Sequence, residues 1–182
     1  MLFEEDDNKV AIREGVKAVC NRFPDAYWRA RDDDGKFPEE FHRAMAEGGW
    51  LGMTMPEEFG GSNLGVAEAA MMMHAVGNSG GGMAAASTIQ INLFGPHPIL
   101  LFGTEDQKKR WIPELVAGKQ KVAFGVTEPN SGLDTCSITT FAEKVDGGYR
   151  VSGNKIWTTT GQVATKIMLL CRTVKREDCA KR

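Results

Sequence analysis

Apolar residues before about residue 120 recur at helical spacing, whereas those after it sit in short β-branched runs between glycine-containing turns. Val10, Val16, Val19 and Phe23 fall near one stripe and predict a helix over about residues 8–23. Pro38 opens a second helix, with Glu39 and Glu40 where the helix dipole favours acids. Phe41 and Met45, four apart, share its buried face, and Gly48 and Gly49 end it. A third helix is predicted over 66–76, broken by Gly77 to Gly82, and a fourth over 83–93; Gly80-Gly81-Gly82 reads as a flexible connection. Thr104 followed by Gln107 reads as a capping box at the head of a fifth helix, whose apolar face is Trp111, Ile112, Leu115 and Val116. Pro113 inside it removes a hydrogen bond and predicts a kink or restart.

The later part predicts strands over 122–126, 137–145 and 148–151, the last two flanking an Asp146-Gly147 hairpin turn. Further strands are predicted over 155–160 and 166–173. The change in composition places a domain boundary at about Lys119 to Lys121, giving domains 1–120 and 121–182. The expected fold class is α+β: an all-α N-terminal domain followed by an incomplete antiparallel β-sheet or barrel. The strands cannot close a sheet alone, so the chain is expected to be a truncated piece of a larger architecture.

Composition narrows the function classes. A formal net charge of −2 over 182 residues, with short basic clusters beside acidic ones, argues against nucleic acid. Met71, Met72 and Met73 read as helix core. Four cysteines, Cys20, Cys136, Cys171 and Cys179, form no CxxC pair or zinc pattern and fit a reduced setting. The acidic start is neither secretory nor presequence-like, and no apolar stretch reaches membrane-span length. A cytoplasmic location is expected, with a mitochondrial one left open. His42, His74 and His97 lack a nucleophile partner in any recognisable triad motif.

Two segments carry the candidate chemistry. Phe124-Gly-Val-Thr-Glu-Pro-Asn-Ser-Gly-Leu-Asp134 runs from a strand into a turn, in which Pro129 fixes one backbone angle and Gly132 permits a positive one. Such a loop can aim backbone N–H groups and hydroxyls at a ligand. The second, Asn154-Lys-Ile-Trp-Thr-Thr159, offers an indole and two hydroxyls in consecutive positions. Glu128 and Asp134 are the obvious carboxylates; turn acids more often cap backbone N–H groups than act as bases.

Together the pair resembles the flavin-binding signature of acyl-CoA dehydrogenases. Gly49-Trp-Leu-Gly-Met-Thr-Met-Pro-Glu-Glu-Phe-Gly-Gly61 and Gly103-Thr-Glu-Asp-Gln-Lys108 extend the match to nearly the whole chain, as an N-terminal helical domain and the opening of a middle β domain. The resemblance implies FAD as cofactor, held by Phe124, Val126, Thr127, Gly132, Leu133, Trp157, Thr158 and Thr159. It implies acyl-CoA as substrate, touched at Leu133; Ser87, Gln90 and Phe94 lie where the fourth helix would line an acyl cavity, and ordinary helix packing explains them as well. The commoner pattern has Gly-Ala-Gly-Ser before the Asp, so Leu133 lacks the usual hydroxyl. The reaction implied is α,β-dehydrogenation, with electrons passed to an electron-transfer flavoprotein and the full-length protein a homo-oligomer. The catalytic carboxylate is expected in a C-terminal domain, so no catalytic residue and no metal ligand is assigned within the 182 residues. Acyl-CoA oxidases and some flavin monooxygenases share this architecture; an inert fragment or helical interaction module is the non-enzymatic alternative.

Overall fold

The computed structural model describes residues 6–179. Helix α1 (Asp7–Cys20) starts where the Asp6 carboxylate accepts from the Lys9 N–H at 2.9 Å as an N-cap. It buries Ile12, Val16 and Cys20 at i, i+4 and i+8. Phe23 lies beyond its end, in a turn that still points into the core.

Helix α2 (Asp25–Asp34) lies outside the predicted set, because it buries only Trp28 and so carries no period to read. Gly35 stops it at φ +64, and its N–H donates to Arg31 O. Trp28 stacks edge-on to Phe41 at 5.0 Å, Phe41 to Phe23 at 5.3 Å and Phe23 to Tyr27 at 5.0 Å. The Trp28 indole N–H is satisfied by Phe23 O at 3.1 Å.

Helix α3 (Glu39–Glu47) follows Pro38 and fully buries Phe41 and Met45, as the spacing predicts. Helices α4 (Val66–Gly77) and α5 (Gly82–Phe94) complete the main core, with Met72, Val76, Ala85 and Ile89 inside. The glycines between them are not a loose tether. A Cβ on Gly81 would meet the Trp28 ring at 2.4 Å, so this glycine is what lets the indole pack there. Helix α6 (His97–Phe102) is also unpredicted; Pro98 sits in its first turn, where a missing N–H costs nothing.

Helix α7 (Glu105–Val116) has both halves of the predicted capping box, Gln107 N–H to Thr104 Oγ1 and Thr104 N–H to Gln107 Oε1. It runs on through Pro113 instead of restarting. Proline removes one donor in the final turn, and Ala117 N–H still reaches Pro113 O at 2.9 Å. The buried Asn92 amide ties α5 to the end of α7, donating to Leu115 O and Gln120 O at 3.1 Å each.

His42 is 2% exposed on α3, and its Nε2 has no hydrogen-bond partner among the described residues. Burial, reinforced by the Lys121 charge, pushes its imidazole down from 6.5 to about 4. As pH falls, the unfolded chain takes a proton at His42 near 6.5, whereas the folded chain does not until about 4. Stability from this site is therefore complete above pH 6.5 and lost between 6.5 and 4, by on the order of 3 kcal/mol. His42→Leu should flatten the unfolding free energy across that window in denaturant titrations; an unchanged slope would refute the assignment.

The chain divides into two compact units, Met1–Lys121 and Val122–Arg182. In the second, β1 (Val122–Gly125) ends one residue before the predicted strand does. The hairpin of β2 (Phe141–Val145) and β3 (Gly148–Ser152) is antiparallel, with Val145 opposite Gly148 and Gly147 at φ +76 in the turn. Strand β4 (Lys166–Leu169) pairs with β1 in parallel, where an antiparallel neighbour was expected. The direction follows from the intervening hairpin and loop, long enough to bring the chain back the same way. Beyond β4, Arg172 exchanges hydrogen bonds with Thr140 O and Ala142 N–H at 2.8 Å, linking that segment to β2.

Candidate functional site

The loop after β1 is closed by its own backbone. Glu128 N–H donates to Ser131 O at 2.9 Å and Ser131 N–H to Glu128 O at 3.1 Å, with Pro129 and Asn130 at the tip. The Ser131 hydroxyl donates to Asp134 O at 2.6 Å, and the Ser137 hydroxyl to the Asp134 carboxylate. Gly132 does not adopt the positive φ expected of it. The turn is shaped by Pro129 and the Ser131 bonds, and a Cβ on Gly132 would meet nothing within 4 Å.

Residues 155–160 are not the expected strand. Ile156 N–H forms a single rung to Thr127 O at 2.9 Å, then Trp157 turns into the left-handed region at φ +57 and Thr160 follows at φ +68. Such backbone costs on the order of 1–3 kcal/mol at a non-glycine residue and persists only where neighbours fix it. Here the Thr127 rung fixes one side. On the other, Gly161 N–H bonds Thr158 O, and Val163 and Ala164 N–H bond Thr160 O. The Trp157 side chain is 85% exposed as a result.

Lys155 joins the two segments through its side chain. Its ammonium donates to Val126 O at 2.8 Å and to Glu128 Oε1 at 2.9 Å, with the lysine side chain 10% and the carboxylate 4% exposed. Glu128 Oε1 also accepts from Thr140 N–H, and Oε2 from the N–H and hydroxyl of Thr139. Burial alone would push the Glu128 carboxyl up. The donors of Thr140, Thr139 and Lys155 outweigh it and hold the group far below the usual carboxylate range. Glu128 is thus a structural carboxylate, as a turn acid should be, and Asp134 is engaged with Ser137. Lys155 lies inside the Asn154–Thr159 motif, where a lysine set between Asn154 and an apolar pair is its only signal in the sequence.

The other sequence-selected residues surround this junction. Phe124, Val126, Thr127 and Thr158 are half-buried, while Gly132, Leu133 and Thr159 are exposed. Among the described residues, none accepts a hydrogen bond from the N–H of Val126, Thr127, Gly132 or Leu133. In the first unit, Gln90 and Phe94 of α5 line an apolar groove of about 290 Å3 with Val66, Ala69, Met73 and Leu93. Ser87 is half-buried and does not line it.

Residues 6–119 match the model of the acyl-CoA dehydrogenase N-terminal domain, and residues 123–182 that of the acyl-CoA dehydrogenase middle domain. The chain belongs to the acyl-CoA dehydrogenase family. Among curated acyl-CoA dehydrogenases, it is 32% identical over 170 residues to the mitochondrial 2-methylacyl-CoA dehydrogenase of Solanum tuberosum, covering 92% of this chain and 41% of that protein. The butyryl-CoA dehydrogenase structure from Megasphaera elsdenii superposes with a TM-score of 0.84 at 28% identity, over 96% of this chain and 46% of the other. PigA, solved as an FAD complex, superposes with a TM-score of 0.85 at 25% identity, over 96% and 46%. The chain therefore spans less than half the length of these three proteins. No helix among its described residues is long and apolar enough to cross a membrane.

Proposed function

We infer that this chain is the N-terminal and middle part of an FAD-dependent acyl-CoA dehydrogenase, contributing part of the flavin site. The observation carrying this reading is the junction of the Thr127 loop with the Trp157 segment. It leaves backbone donors unspent beside an exposed indole held in the left-handed region. Those features suit a flat, electron-accepting ring. The Val126 and Thr127 N–H groups and the Thr127 hydroxyl would hold its polar edge, and preorganised donors there stabilise negative charge on reduction. Trp157 would pack on the ring, with Thr158 and Thr159 hydroxyls beside it. Gly132 and Leu133 would continue the donor edge towards the acyl thioester. Bound FAD would accept the hydride in α,β-dehydrogenation of an acyl-CoA.

Both loop carboxylates are occupied: Glu128 with Lys155 and the Thr139 and Thr140 donors, Asp134 with Ser137. Neither is therefore proposed as the proton-abstracting carboxylate, which the resemblance to acyl-CoA dehydrogenases implies is supplied by a C-terminal domain. An electron-transfer flavoprotein as acceptor and a homo-oligomeric whole protein complete the proposal.

Titrating the purified 182-residue chain into FAD, and following the visible flavin band, tests the reading. Weak saturable binding is expected, without acyl-CoA turnover. Trp157→Ala should weaken binding by about 0.5–1.5 kcal/mol, the worth of an aromatic stacking contact. No saturable binding, or binding indifferent to Trp157→Ala, would refute the flavin assignment. Acyl-CoA oxidation by this chain would refute the external base.

A further inference from the structure

A groove of about 440 Å3 in the second unit is lined by three of the four cysteines, Cys136, Cys171 and Cys179, together with Arg172. None of these residues belongs to the proposed flavin site. Cys136 is exposed, while Cys171 and Cys179 are half-buried. Arg172 contacts two of these residues through its guanidinium fork: Nη1 lies 3.5 Å from Cys179 Sγ, and Nη2 donates to the backbone carbonyl of Cys136. Its Nε donates to Ile138 O at 2.7 Å, and its backbone is paired to Thr140 and Ala142, so the fork is fixed in place. Among the described residues, the fork makes no hydrogen bond to Cys171.

The surroundings select the reagent. An adjoining groove of about 230 Å3 is lined by Arg172, Lys175 and Arg176, with Glu177 as its one acid. A cationic rim beside exposed thiol suits an anionic small-molecule disulfide more than a neutral or cationic one. The three sulfurs do not form a metal-binding group, since no cluster of His, Cys, Asp or Glu among the described residues could hold an ion.

We propose that this groove is a thiol–disulfide exchange site for anionic low-molecular-weight disulfides, at which Cys136 and Cys179 become joined. Cys136, the exposed sulfur, loses its proton and attacks one sulfur of a reagent such as oxidised glutathione. The reagent's S–S bond breaks, one thiol leaves carrying a proton, and a mixed disulfide remains on Cys136. Cys179 then loses its proton and attacks the Cys136 sulfur. The second reagent thiol leaves with that proton, and the Cys136–Cys179 bond forms. Two protein thiols are oxidised, and one reagent disulfide is reduced to two thiols. Closure draws Cys179 from its hydrogen bond to Lys175 O and from Arg172, so the bond would tie the turn at residues 135–137 to the segment after Arg176.

Mass spectrometry on the full chain provides the test. The chain is incubated with oxidised glutathione, remaining thiols are alkylated, and it is digested without reduction. The expected product is a peptide linked through Cys136 and Cys179, with Cys20 and Cys171 alkylated. Cys179→Ser should instead retain glutathione on Cys136, and Cys171→Ser should leave the link unchanged. A Cys136–Cys171 link, a lasting glutathione adduct on the unaltered chain, or alkylation of all four thiols would each overturn the proposal.

Discussion

Lys155→Met should destabilise the second unit by roughly 3–5 kcal/mol, the usual cost of leaving a buried charge without its partner. The Glu128 carboxylate is 4% exposed and accepts from Lys155, Thr139 and Thr140 together. Methionine fills much of the lysine's volume and supplies no donor, so the loss is electrostatic and not a packing void. The Val126 carbonyl loses its Lys155 donor at the same time. Hydrogen exchange gives a local readout: the Thr139, Thr140 and Ile156 amides should lose protection while amides of α3 keep theirs. In Glu128→Gln/Lys155→Met the stranded charge is gone, so the double variant should be more stable than Lys155→Met alone. A change below about 1 kcal/mol, the range of exposed pairs, would show that the pair is solvated and the clamp ineffective.

The same group sets an acid limit. Because the Glu128 carboxyl is depressed in the folded chain, its stabilisation is complete above the ordinary 4.5 and lost as pH falls below it. His42 acts in the adjacent window, between 6.5 and 4, and in the other unit. Acid should therefore loosen the His42 region first and the Thr139 and Thr140 amides later. Glu128→Gln should remove only the second effect.

How much of this could be read from the sequence depends on whether the deciding contact is local. The α7 capping box spans three residues, and the Phe41–Met45 face lies within one helix turn, so both were legible. Helix α2 was not, because its one buried residue is held by aromatic rings on other segments. The candidate site divides the same way. Pro129 marks the turn from the sequence alone. That Lys155 reaches Glu128, 27 residues away, and that Trp157 leaves extended backbone for φ +57, follow only from how the two segments meet. Threonine and tryptophan favour strands on average, and here the Thr127 rung and the turn at 158–161 override that preference.

Gly61→Ala should be at least as damaging as an ordinary overpacked core, beyond the usual range of about 1–3 kcal/mol. A Cβ at residue 61 would lie 2.0 Å from Met55 O and 2.5 Å from Gly52 O, both backbone atoms that no rotamer change can move. Those two carbonyls accept from Asn63 N–H at 2.8 Å and Ser62 N–H at 3.2 Å, so retreat from the methyl breaks the bonds that fold residues 61–64 onto 52–55. Met53 and Met55, both in the core, would be displaced with them. Gly77→Ala is the matched control. It lies at the end of α4, its added Cβ meets nothing within 4 Å, and its φ is not positive. There the lower entropy of the unfolded chain should stabilise by about 0.4–1 kcal/mol. Denaturant midpoints of the two variants should therefore move in opposite directions. If Gly61→Ala unfolds with the unaltered chain, the close approach of Gly61 to Met55 does not hold. The Gly-rich loop would then owe its place in the family-like pattern to something other than packing.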